Sequence, residues 1–220
     1  MTDGWQPPRP LVAGEASGAG SAGACPAGAR PEGAWPAGAR ATGALAAGAR
    51  AEPLETVARW VRDYLCSPHP ELGRAGAVCP YTRKALADGG LLGAVWARRP
   101  DGPDQVARVM RRYLDWFVAR RGGDEVYRAL LVAFPLVTEH EWETVIEGAQ
   151  QRLKPSFVKH GLMVGEFHPG PPAAAGIRNP DFRPLRSPVP LLAVRPMVRS
   201  DLPFLDQAPW SLDAWTARFG

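Results

Sequence analysis

The chain has 220 residues, 45% of them apolar, with a net charge of +4, which allows one domain with extra chain around it. No apolar run approaches the roughly 18 residues of a membrane span, and the start MTDGWQPPRP lacks a charged-then-apolar leader, so neither a spanning segment nor a secretory signal is expected. The mild positive charge disfavours a nucleic-acid partner, which calls for a denser basic stripe.

Residues 1–53 read as a disordered tail. Units of ten repeat Ala-Gly-Ala-Arg from Ala24, in ACPAGARPEG, AWPAGARATG and ALAAGARAEP. Glycine and proline interrupt any helix, and few large apolar groups are available to offset chain entropy. The tail has four arginines against four acids, so the rest of the chain carries the whole charge. A docking role for Trp35 and the tail arginines is the functional alternative to a solvated linker.

Order is predicted from Leu54. Leu54, Val57, Ala58, Val61 and Leu65 recur at helical spacing, and the helix stops before SPHP. A Gly- and Pro-rich loop follows to Gly90, with one short helix from Tyr81. Residues 91–97 (LLGAVWA) read as a buried strand. The next helix, residues 104–120, turns Val106, Val109, Met110, Tyr113, Leu114 and Phe117 inward. Residues 127–135 form a second strand. Thr138 and Glu141 have the spacing of a capping box before a helix with Trp142, Val145, Ile146, Ala149 and Leu153 on one face. Residues 162–167 (LMVGEF) form a third strand and residues 190–198 a fourth, which Pro196 pushes to a sheet edge. SDLPFL starts a short helix, and residues 207–220 read as a tail. The expected fold is α+β: about four strands covered by helices on one face, ferredoxin-like (βαββαβ) or a relative of it.

Three groups of residues could carry chemistry. Cys79 precedes Pro80, which holds it extended, and a helix starting at Tyr81 with Arg83 and Lys84 nearby would favour its thiolate as nucleophile, redox centre or haem ligand. A small buried thiol is the plainer reading for Cys79, and more so for Cys66. Three cysteines without a Cys-x-x-Cys pair argue against a disulfide framework and a zinc site, and for a reducing, cytoplasmic location. Second, alternation puts Glu166 and His168 on one face at a strand end and Phe167 on the other; His168 can act as acid or base, or merely cap loop backbone. His69, His140 and His160 read as surface residues. Third, Arg178, Asn179, Arg183, Arg186 and Ser187 lie in a stiff loop with three prolines, Pro180, Pro184 and Pro188. Guanidinium groups there suit a carboxylate or phosphate, or else hold the loop through backbone carbonyls.

The motifs GRAGAVCPYTRKAL and HPGPPAAAGIRNPDFRPLRSPVPLLAVRPMVRSDLPFL resemble an actinobacterial family catalogued as domain of unknown function 6875, over residues 54–206. A weaker likeness, through Cys79-Pro80-Tyr81, Phe167-His168-Pro169 and Arg186-Ser187-Pro188-Val189-Pro190, is to domain of unknown function 1415. Here Tyr81 replaces that family's Phe, and Leu185 stands where its Asn precedes the Arg. Neither resemblance implies a reaction. Both keep the Cys-Pro, Phe-His-Pro and Arg-Ser-Pro elements together, which implies one cleft. The resulting expectation is an enzyme acting on a small anionic metabolite, with Cys79 and His168 catalytic and the loop arginines holding substrate. The alternative is a non-catalytic binding or accessory protein for a small anion or peptide. Haem binding is a third, weaker reading, and no other cofactor is indicated.

Overall fold

A computed structural model describes residues 5–11, 51–120, 125–172, 179–205 and 209–220. The apolar segments read from the sequence pair into a sheet of β1 (Arg9–Pro10), β2 (Leu91–Val95), β3 (Ala129–Ala133), β4 (Leu162–Phe167) and β5 (Leu191–Pro196). The spatial order is β1-β2-β3-β5-β4. β2 and β3 are parallel, while β5 is antiparallel to both β3 and β4.

The helices are α1 (Ala51–Trp60, continued by a π-helical turn, Val61–Leu65), α2 (Thr82–Ala87), α3 (Pro103–Val118), α4 (Gly148–Lys159) and α5 (Pro209–Phe219). This is an α+β fold. It differs from the βαββαβ order in having a helix, α4, between its second and third long strands, while a loop alone joins the third to the fourth. Among the described residues no helix is long and apolar enough to cross a membrane.

Strand alternation divides the core. Ala94, Leu130, Val132, Val164, Leu192 and Val194 point to one face and pack against α3 and α4. Leu91, Val95, Leu131, Ala133 and Leu191 point to the other, against the apolar stripe of α1. Helices therefore cover both faces, not one. Val57 and Val61 of the α1 stripe are completely buried, and only the second face of the sheet was left for them to cover.

Three further expectations change. β5 is interior, not an edge strand. Pro196 is tolerated because it is the last paired residue, opposite Leu162. The final residues form α5, whose Ala214, Trp215 and Phe219 pack on Val158, Met197 and Leu205. Finally, residues 5–11 of the expected tail lie on the domain. Leu11 is buried, Tyr113 donates its hydroxyl to the Gln6 carbonyl, and Trp5 meets the Tyr113 ring. Two large apolar side chains anchor this piece, a signal diluted by the Ala/Gly-rich composition around it. Trp35 and the ten-residue repeat up to residue 50 lie outside the described residues, and the last three residues of the repeat, 51–53, open α1.

Gly93 makes the β1 edge possible. A β-carbon there would come within 2.7 Å of Leu11 and 2.9 Å of Leu54. Gly93→Val should displace Leu11 and cost about 1–3 kcal/mol of stability by overpacking, measurable as a lower urea midpoint. An unchanged midpoint would mean that β1 contributes nothing to folding.

Candidate functional site

The sheet brings one constellation together at the end of β4. His168 follows the strand and is 2% exposed. Alternation sends Phe167 toward α1, where it meets the Trp60 ring, and sends Glu166 and His168 toward α4. His168 Nε2 lies 2.9 Å from Glu147 Oε1, and the His168 ring lies 5.4 Å from that of Trp142.

Trp142 and Glu147 reach the same imidazole because the chain between them is π-helical (Trp142–Glu147) rather than α-helical. In an α-helix, residues five apart diverge by about 140° around the axis. The wider π turn, with its i→i+5 bonding, brings them toward one side. The turn is entered through Thr138, whose N–H and hydroxyl both donate to Glu141 Oε2 at 2.9 and 2.7 Å. Burial pulls the Glu141 carboxyl up, but the Thr138 hydrogen bonds and Arg99 outweigh it and hold it below its usual range. Gly170 closes over the indole, since a β-carbon there would stand 3.0 Å from Trp142.

The imidazole is half-satisfied. Among the described residues, His168 Nδ1 is buried and has no hydrogen-bond partner, and the same holds for Trp142 Nε1. Trp96 Nε1, just beyond β2 at the same end of the sheet, is likewise buried without a partner. Buried polar atoms are normally paired, so the open nitrogens of these two neighbouring rings are the groups at this end of the sheet that call for a polar partner.

Glu166 adds a second carboxyl. Burial raises its pKa, Glu147 adds to the rise, and its own backbone N–H and Lys154 oppose it. A carboxyl raised in the folded state favours folding while protonated, and that contribution is lost as pH rises through the folded value. Glu166→Gln should therefore raise the melting temperature near neutral pH and leave it unchanged below about pH 4, where the native carboxyl is also neutral. An equal effect at both pH values would mean that the carboxylate charge is not the cause.

The arginine loop serves mostly itself. Arg183 Nη1 donates to the carbonyls of Pro180 and Phe182. Asn179 accepts from the Asp181 N–H and donates to the Glu71 carbonyl. Ser187 is buried, donating its hydroxyl to Val189 and its N–H to the His168 carbonyl. Tyr64 and Trp60 donate to the carbonyls of Arg183 and Arg186. Burial, then Glu71, push the Tyr64 hydroxyl up to about 12 against the pull of Arg186, so it stays a neutral donor. His69, expected at the surface, packs between Tyr64 and the buried Phe182. Arg186 is exposed, and Arg178 lies outside the described residues.

Cys79 is elsewhere. It is half-buried against the α1 face of the sheet with Leu65 and Cys66, and its N–H donates to the Leu65 carbonyl. Tyr81, two residues on, meets the ring of Tyr127 just before β3 starts, whereas His168 follows the end of β4, which runs in the same direction as β3. Cys79 and His168 thus lie on opposite faces and toward opposite ends of the sheet. The expected single Cys/His cleft is not what this fold builds. The sequence placed both residues beside loops, but the loops leave the sheet on different sides.

The family model described as Domain of unknown function (DUF6875) matches residues 54–220. The chain belongs to this family. The match takes in α5 and leaves out β1, so the edge strand lies outside the family's common part. No curated protein and no solved structure matches the chain.

Proposed function

We propose that this DUF6875 domain binds a small anionic ligand at the end of β4, with His168 and Trp142 as the groups that meet its oxygens. One observation carries the reading: among the described residues His168 Nδ1 and Trp142 Nε1 are both buried and without a partner, on rings 5.4 Å apart. An indole N–H can only donate. An imidazole held against the Glu147 carboxylate gains a second donor when it takes up a proton, so the two nitrogens together suit a carboxylate or phosphate oxygen. Arg186, whose backbone pairs with that of His168, adds an exposed positive charge that attracts an anion to this end of the sheet. Asn179, Arg183 and Ser187 act by holding the loop that brings Arg186 there.

A binding role fits better than thiol catalysis, because Cys79 is on the far side of the sheet. The Glu147–His168 contact favours one second reading, in which the same imidazole moves a proton to or from the bound ligand.

The test is calorimetry of the full chain with acetate, citrate and inorganic phosphate. Binding should be lost in His168→Ala and be weakened in Trp142→Phe. If none of these anions binds, or if binding survives His168→Ala, the reading is wrong. Chemical change of a bound ligand, followed by NMR, would move the assignment to the second reading.

A further inference from the structure

The opposite face of the sheet carries a pair of thiols, separate from the proposed anion site. Two short stretches, at the end of α1 and before α2, run side by side in opposite directions. Pro68 and Ala77 form an antiparallel bridge. The Val78 N–H donates to the Ser67 carbonyl and the Cys79 N–H to the Leu65 carbonyl, both at 3.0 Å. These two bonds straddle Cys66 and set it beside Cys79. The bonds step two residues along one stretch and one along the other, a bulge at Cys66, whose backbone is helical at φ −85° and ψ −3°; residues opposed in this way bring their Cα atoms near the roughly 4.4–6.8 Å that a disulfide spans. Both side chains belong to one apolar cluster.

The arrangement is held from outside. Arg83 Nη2 donates to the Cys66 carbonyl at 2.7 Å, tying α2 to the end of α1. Arg74 Nη1 donates to the Ala75 and Ala77 carbonyls and its Nη2 to Val78, which fixes the connecting turn. The thiols also differ in access: Cys66 is 7% exposed, while Cys79 is only half-buried.

We propose that Cys66 and Cys79 form a redox-active dithiol that closes to an intramolecular disulfide on meeting a peroxide or a small-molecule disulfide. Cys79, the accessible thiol, reacts first. With hydrogen peroxide its thiolate attacks one oxygen, the O–O bond breaks, and a sulfenic acid and hydroxide result. The Cys66 sulfur then attacks the Cys79 sulfur, the S–S bond forms, the S–O bond breaks, and water leaves. The dithiol loses two electrons and two protons, and the peroxide is reduced to two waters. With glutathione disulfide, Cys79 forms the mixed disulfide and releases one glutathione thiolate, and Cys66 displaces the second. Burial pushes the Cys66 thiol up, Arg83 opposes this and Cys79 adds to it. The closing step therefore accelerates with pH, by up to about tenfold per unit below the thiol pKa.

The experiment uses the full chain carrying Cys25→Ser, equilibrated in glutathione redox buffers, alkylated and mapped by mass spectrometry. Both thiols should disappear together in one two-electron transition, giving one linked peptide pair, Cys66 with Cys79, within monomers. Cys66→Ala should stop the reaction at a persistent mixed disulfide on Cys79. Cys79→Ser should leave Cys66 reduced under the same conditions. The proposal is overturned if native chain accumulates the Cys79 mixed disulfide with Cys66 free, or if linked peptides join separate molecules. It is also overturned if, with Cys25 present, the main product joins Cys25 to either partner.

Discussion

Replacing Glu147 by alanine is expected to weaken anion binding by about 10–100-fold and to lower stability by about 1–3 kcal/mol, the range for stripping a partner from a buried polar group. Glu147 is the protein partner of a 2%-exposed imidazole, and its own side chain is 19% exposed, so its removal leaves both His168 nitrogens buried and open. Glu147→Gln separates the two effects. The amide keeps the shape and can hydrogen-bond Nε2, but it cannot balance a protonated ring. Calorimetry should show Gln nearly as damaging as Ala to affinity, while urea denaturation should show it closer to native in stability. If Glu147→Gln binds anions as the native chain does, the carboxylate charge has no part in binding.

Asp201→Ala is expected to cost about 2–3 kcal/mol of stability, because a buried carboxylate with charge-assisted hydrogen bonds is removed and the partly exposed Arg195 guanidinium loses its partner. Asp201 is 2% exposed and accepts both ends of the Arg195 guanidinium, at 2.7 and 2.6 Å, together with the Val198 N–H at 2.8 Å. Burial alone would pull the Arg195 pKa down, but the hydrogen bonds and charge of Asp201 raise it. The pair pins the end of β5 to the turn that leads to α5. Loss of the carboxylate should loosen that turn, where Trp215 donates to the Arg199 carbonyl, and so alter Trp215 accessibility to quenchers. The double variant Arg195→Met with Asp201→Leu should recover part of the loss, since no unpaired charge remains. If the double variant is no better than Asp201→Ala, the cost comes from the Val198 cap and not from the stranded guanidinium.

Much of this fold was legible because periodicity is local. β4 was read to the residue, and α3 was displaced by only a residue or two, since its inner face repeats Val106, Met110, Tyr113 and Phe117 cleanly. The position of β5 was not legible. A terminal proline allows either an edge or a strand end, and only pairing with both β3 and β4 decides between them. The site was half legible. Strand alternation correctly sent His168 and Phe167 to opposite faces, but Glu147 was invisible as its partner because a π turn breaks the 3.6-residue period on which a helical reading depends. Arginine chemistry suggested a ligand clamp at Arg183, and the loop carbonyls took that side chain instead. Cys79 showed the same limit from another side: a motif fixes a residue's neighbours along the chain, while the side of the sheet it faces is a property of the whole topology.

The interior place of β5 has a consequence for synthesis. Among the described residues β5 is the last strand made, yet it is the only neighbour of β4 and one of the two neighbours of β3. A nascent chain that has not yet delivered residue 196 holds β3 with a bare edge and β4 with no strand to pair with. Exposed edges of this kind recruit other chains. The sheet therefore closes only when nearly the whole sequence is available, and the emerging chain must be kept from its neighbours until then.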